Sequence, residues 1–254
     1  MTDDNPKAAA SSALEGRENN ALEIVPRKRI DLEAALRYPF SGDDWISTLL
    51  IAGVVPFIPL VGIIILIGWQ SRMFDQIRRG DNTLPAIEFS TDLSTGFGVF
   101  IRMMANMLPV LVALLLILFG GVVATGAVGT VVGNVTGNEA LSTTIFLVGS
   151  IFAYGAAMVL VLGANLIAPE ILRRIYRGEV WVITNPKPSI VAIKNAYPAY
   201  GIALLGCLIA NVLGGVGVFA CYVGMILSIP YCYAVIANIL GQLDQVLIEN
   251  RLTN

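Results

Sequence analysis

The chain has 254 residues, 56% of them hydrophobic and 13% charged, with a formal net charge of −2. Soluble domains carry about 25% charged residues, so the composition excludes an ordinary soluble domain, and the near-neutral balance gives nucleic acid no footing. The chain has no histidine, which removes the commonest general base and metal ligand and, with them, most hydrolase and metalloenzyme schemes.

Residues 1–28 are rich in Asp, Glu, Asn, Ala and Ser and have no apolar core. They lack the apolar run of a secretory leader and read as a disordered, retained cytoplasmic tail. The remainder, 29–254, reads as a single helical membrane domain. Its first piece, 29–38, sets Ile30, Leu32, Ala35 and Leu36 among Arg29, Asp31, Glu33 and Arg37, with Pro39 as a stop. That pattern suits a short interfacial helix.

No Asp, Glu, Lys or Arg occurs in 46–71, 103–138, 140–169 or 195–243. Each run is long enough to cross or dip into a bilayer core, which takes about 20 apolar residues. Within them the apolar segments fall at about 46–56, 59–77, 107–131, 141–170, 199–213 and 217–240.

The first run is interrupted by Val55-Pro56-Phe57-Ile58-Pro59. Each arm gives only about 20 Å of helix, short of the roughly 30 Å core. Trp45 and Trp69 flank the run, and both could anchor at one face. The basic residues weigh on the same question. Lys7, Arg17, Arg27, Lys28, Arg29 and Arg37 precede the run, Arg72, Arg78, Arg79 and Arg102 follow it, and Arg173, Arg174, Arg177, Lys187 and Lys194 lie further on. If 46–71 crosses once, these groups divide between the two sides. If it enters and returns, all of them fall on one side, which the positive-inside rule favours. A re-entrant hairpin is therefore expected, with a single proline-kinked helix as its rival.

Two apolar segments end alike, Ile77-Arg78-Arg79-Gly80-Asp81 before Pro85 and Ile175-Tyr176-Arg177-Gly178-Glu179 before Pro186. Arginines in a last turn and Gly just past it mark helix ends. The pair could be a duplicated unit or two independent stops. After the first stop, 93–104 (Leu93, Phe97, Phe100, Ile101, Met104) suits a second interfacial helix.

Residues 107–131 are then expected to cross outward, with Glu139 in the outer loop and 141–170 returning. Small residues recur at Gly121, Thr125, Gly129, Gly133 and Gly137. On a helix they form a stripe that permits close contact, and Gly121, Gly129, Gly133 and Gly137 are candidates for packing in a homo-oligomer. The rival reading is a flexible loop, because Val, Thr, Asn and Gly are weak helix formers. Glu170 follows Pro169, with Arg173 and Arg174 in helical reach as ion-pair partners. The run 199–240 is too long for one span and is expected to break near Gly214, Gly215 and Gly217, giving a second hairpin with both termini cytoplasmic.

Asn106, Asn165, Asn211 and Asn238 lie in or beside the apolar runs and could bond helices together or line a pore. Cys207, Cys221 and Cys232 read as small buried hydrophobes. The clustered Arg72, Arg78, Arg79, Arg173, Arg174 and Arg177 are candidates for contact with anionic lipid headgroups on the cytoplasmic side.

Ala35-Leu36-Arg37-Tyr38-Pro39-Phe40 with Asp43-Asp44-Trp45, then Pro59-Leu60-Val61-Gly62, Gly68-Trp69 and Ile77-Arg78-Arg79-Gly80 through Leu84-Pro85 together resemble the prokaryotic membrane family called domain of unknown function 4013. The resemblance covers about 35–85, with Gly68-Trp69 where the family has Gly-Tyr. It implies a multi-helix prokaryotic membrane fold and brings no activity.

The expected architecture is all-α and polytopic, with two full spanning helices and two helical hairpins, in the inner membrane. The expected function is a non-catalytic, self-associating scaffold or a subunit of a larger membrane complex. A passive channel or a carrier for an apolar or lipid-like substrate is the alternative. No cofactor, metal site, enzymatic activity or nucleic-acid partner is expected.

Overall fold

The computed structural model describes residues 27–219 and 221–252. The tail assigned to 1–28 lies almost wholly outside them, and the Cys221 side chain is not described. Among the described residues the chain is helical and has no strand. The helices are α1 (Leu32–Arg37), α2 (Trp45–Val54), α3 (Val61–Arg78), α4 (Phe89–Leu115), α5 (Gly121–Thr136), α6 (Glu139–Tyr176), α7 (Lys187–Asn195), α8 (Tyr197–Phe219) and α9 (Cys221–Leu252). Among the described residues, four stretches are long and apolar enough to cross a membrane: Phe89–Thr136, Glu139–Tyr176, Tyr197–Gly217 and Gly224–Asn250. The protein is an all-α, polytopic, membrane-embedded chain.

Helix α9 is the centre. From Ala234 to Leu247 it is buried almost all round, which marks a helix enclosed by others. It packs against α8, α3, α2, α1 and α6. Small residues set its closest approaches. A Cβ on Gly241 would sit 2.7 Å from Ile77 of α3, and one on Gly206 of α8 would sit 2.6 Å from Ile239.

Helices α2 and α3 form a hairpin around Val55–Phe57, a single 3-10 turn. A γ-turn reverses the chain at Leu60, where the Val61 N–H donates to Pro59 O at 2.7 Å and φ and ψ are 61° and −55°. That conformation is strained for a residue with a Cβ. Gly62 then passes so near Val55 that a Cβ would lie 1.9 Å from its carbonyl oxygen. At the open end of the hairpin, Leu84 N–H donates to Ser41 O at 2.8 Å and Tyr38 Oη to Thr83 O at 3.2 Å. The segments that precede α2 and follow α3 therefore meet.

The short helix expected at 29–38 is α1. Its apolar residues turn into the protein, with Ile30 and Ala35 buried against α8 and α9, and Gln242 holds Asp31 through both backbone groups. The amphipathic segment 93–104 is the first part of α4. Gly96 crosses Gly68 of α3, where a Cβ on Gly68 would lie 1.8 Å from Asp92 O, while Leu93, Phe97, Ile101 and Met104 face outward.

The longest stretch is α4, a π turn at Leu116–Gly120 and α5 in one continuous path. Gly137 (φ 66°) ends it in a left-handed cap, and Asn138 starts α6 by accepting from Leu141 N–H at 3.1 Å. Helix α8 runs through Gly214, Gly215 and Gly217 to Phe219, so the expected break there does not occur. Two of these glycines admit α9 instead: a Cβ on Gly217 would sit 1.9 Å from Ser228 Oγ, and one on Gly214 3.3 Å from Cys232 Cβ.

The paired stops at 77–81 and 175–179 have one geometry. Asp81 N–H reaches Gln76 O and Gly80 N–H reaches Ile77 O; Glu179 N–H reaches Arg174 O and Gly178 N–H reaches Ile175 O. Gly80 and Gly178 have φ of 86° and 98°. Both are Schellman caps.

Candidate functional site

The caps bring the ends of α3 and α6 to one level, and there α9 presents Asp244, which is fully buried. Three arginines converge on this carboxylate. Arg78 Nε lies 2.6 Å from Oδ2, Arg173 Nη1 donates to Oδ1, and Arg177 Nη1 lies 3.5 Å away. The Arg78 contact is close without being aligned as a hydrogen bond. Arg173 also grips Glu170 with two bonds, Nε to Oε2 at 2.8 Å and Nη2 to Oε1 at 2.7 Å. Glu170 is 1% exposed and Arg173 2%. Asp75 adds a contact to Arg78 at 3.2 Å, and burial pushes its carboxyl above the usual range against the pull of Arg78. Gln245 donates to the carbonyl of Ile77 at 2.7 Å, beside the cap bond from Gly80 N–H. Three elements distant in sequence are thus locked by charges that nearly balance.

The six arginines assigned to lipid headgroups divide. Arg78, Arg173 and Arg174 point into the protein. Arg174 serves Glu179, Ser189 Oγ at 2.8 Å and Asn185 O at 3.1 Å. Arg72 is half-buried, binding Asp92 at 2.9 Å and also Glu88 and Ala86 O. Arg79 and Arg177 remain at the surface. The sequence displays the positive charges as a cluster; the fold sets carboxylates against five of them, Arg72, Arg78, Arg173, Arg174 and Arg177. Glu170 pairs with Arg173 alone, since Arg174 turns to Glu179.

The stripe at Gly121, Gly129, Gly133 and Gly137 is helical up to Gly137, which is the cap, and it faces α6 of the same chain. A Cβ on Gly121 would meet Ala153 at 2.7 Å, and Cβ atoms on Gly129 and Gly133 would each meet Ser142 at 2.8 Å. Thr125 completes the row against Gly149, with its Cγ2 2.0 Å from where a Cβ would stand. Close contact between small residues is what the pattern implies; its partner is the next helix, joined by a two-residue turn.

Asn106 joins separate elements. It donates to Arg102 O and Val180 O and accepts from the N–H groups of Val182 and Ile183 at 2.8 and 3.1 Å. The loop after α6 is thereby pinned to α4. Asn165 and Asn211 bond only within their own helices, and Asn238 accepts from Gln242. Cys207 and Cys232 are buried and free.

Two apolar grooves flank α6. One, of about 580 Å³, runs between α4 and α6 from Val110 and Val159 to Ile175 and Ile183. The other, of about 480 Å³, lies between α6 and α8 and includes Asn165 and Asn211. Asp244 was not singled out from the sequence, because it directly follows the charge-free run 195–243. The signal that could have found it is the polar spacing Asn238, Gln242, Gln245 on an otherwise apolar helix. No family model matches the chain, and neither the curated proteins nor the solved structures include a match.

Proposed function

We propose that the chain is a non-catalytic scaffold of the inner membrane, its basic end facing the cytoplasm, that self-associates through the far end of the α5–α6 hairpin. One observation carries this reading. Counted from the Arg173–Asp244 pair, α6 reaches back about 51 Å to Glu139 and α9 about 35 Å to Cys221. The second length matches a bilayer core of about 30 Å with a little interface; the first exceeds the roughly 40–45 Å of a whole bilayer. Among the polar residues of that surplus, valines face outward, with Val128 53%, Val131 61% and Val135 81% exposed. Valines beyond the hydrocarbon need cover, and a second copy with the same tip supplies it symmetrically.

Placing the basic end in the cytoplasm rests on the positive-inside rule, and the hydrogen bond between Ser41 and Leu84 supports a re-entrant α2–α3 hairpin. The resemblance over 35–85 adds an architecture and no activity. Native mass measurement and crosslinking of the wild type and of Val131→Asp with Val135→Asp test the proposal. The wild type should assemble in bilayers and mild detergent, and the variant should be a folded monomer. A monomeric wild type in both settings would overturn it.

The two grooves favour a second reading, a carrier for a lipid-like molecule. Transfer of a labelled lipid across liposomes containing the protein would distinguish it.

A further inference from the structure

We infer that the groove between α4 and α6 is a binding slot for one anionic phospholipid, with Arg102 as its headgroup ligand. The groove is half-enclosed and lined by apolar side chains, including Met103, Met107, Ile167 and Ile175. From Val159 to Ile175 it follows about 24 Å of helix, more than the depth of one leaflet, about half of a 30 Å core. Methionines at its wall adapt to an irregular, flexible chain.

The basic end of the groove distinguishes a lipid from a partner helix. Arg102 stands there on α4, half-buried, and donates one N–H to the carbonyl of Ile175 at 3.2 Å. Among the described residues no carboxylate pairs with it, in contrast to Arg72, Arg78, Arg173 and Arg174. A guanidinium has five N–H groups in a fork that suits phosphate oxygens, so most of its donors point to an outside acceptor. The neighbouring amide, Asn106, is saturated by backbone groups and fixes the loop that forms the rim. Trp181 on that loop is 61% exposed, as befits a side chain at headgroup depth. Charge at the rim and an apolar channel below it match an anionic lipid with one acyl chain laid along α6. The site stands whether that lipid is cargo or a fixed part of the protein, and it does not depend on self-association.

The test uses the full chain in mild detergent with added dioleoyl phosphatidylglycerol, dioleoyl phosphatidylcholine or glycerol phosphate, with occupancy read by native mass spectrometry. One phosphatidylglycerol per chain should be retained where phosphatidylcholine is lost, and glycerol phosphate alone should not bind. Arg102→Gln should reduce the preference by about fivefold, the weight of one arginine against an anionic lipid, and Arg102→Lys should keep most of it. Gly163 faces open space in the groove, so Gly163→Phe should fill the channel and lower retention of both lipids without touching Arg102. Equal retention of the two lipids by the wild type would overturn the assignment, as would wild-type occupancy in Arg102→Gln or Gly163→Phe. Binding of glycerol phosphate alone would make the site an anion site and overturn the lipid slot.

Discussion

Asp244 is the residue on which most depends, because removing one partner from a buried charge cluster strands the others. Such losses cost about 3–5 kcal/mol. Asp244→Asn should therefore destabilise the protein by that amount, read as a lowered unfolding midpoint in detergent. Glu170→Gln should cost less, about 1–3 kcal/mol, since Arg173 keeps Asp244. Equal effects would mean that the cluster does not act through Asp244. From sequence, Glu170 reads as an interfacial ion pair, and the pairing with Arg173 is correctly legible from their spacing. Its burial is not, because that depends on α9 arriving from 74 positions later. Asn106 has the same limitation: its type and place were visible, and its partners in the 180–183 loop required the fold.

At the scale of elements, hydropathy located the starts of α2, α3, α6 and α8 to within two residues. Helix α4 begins at Phe89 instead of 107 and α9 runs on to Leu252 instead of 240, because polar and charged residues continue a helix that packing supports. Hydropathy also misplaced breaks. Gly214, Gly215 and Gly217 resemble a turn because glycine weakens a helix, yet a neighbour that needs close approach compensates, and here α9 does so. The stripe on α5 was legible as a contact surface and not as to whose. Gly149→Leu, on the α6 side of that contact, should force α5 and α6 apart at a cost of about 1–3 kcal/mol. It should raise proteolysis at the 137–138 turn while leaving assembly through the outer valines weakened only indirectly. For the α2–α3 hairpin, single cysteines at Ser41 and Asn82, in a background without native cysteines, should react with an impermeant thiol reagent from the same side. Labelling from opposite sides would restore a single spanning helix.

For the whole molecule, the distribution of charge and the lengths of the hairpins decide different things. Basic residues gather at one end, where α3, α6 and α9 are locked and α1 is clamped by Gln242. Toward the other end the α5–α6 pair has little of the protein beside it. Rigidity should fall along that axis. Amide exchange of the wild type in nanodiscs should be slowest in α9 near Leu240–Asp244 and fastest around Asn138. In the Val131→Asp, Val135→Asp variant, exchange should rise at the hairpin tip and stay unchanged at Asp244, because the two regions share no contact. The sequence supplied the polarity of this axis through its arginines. It could not supply the inequality of the hairpins, because residues 103–138 show no internal mark of where membrane ends.

The π turn at Leu116–Gly120 has a consequence for how the chain tolerates length change. A π turn houses one residue more than an α turn, and each residue advances a helix by about 100°. The wide turn takes up that single surplus residue, so everything beyond Gly120 keeps its azimuth. Deleting one residue from Leu116–Gly120 should restore regular winding and leave the glycine face of α5 against Ser142 and Gly149, whereas deleting one from a regular turn of α4 beyond its seat on α3 would swing that face by about 100°. The wide turn is in effect a phase coupling, letting a rotation required by the inner half of the path be cancelled before it reaches the outer half.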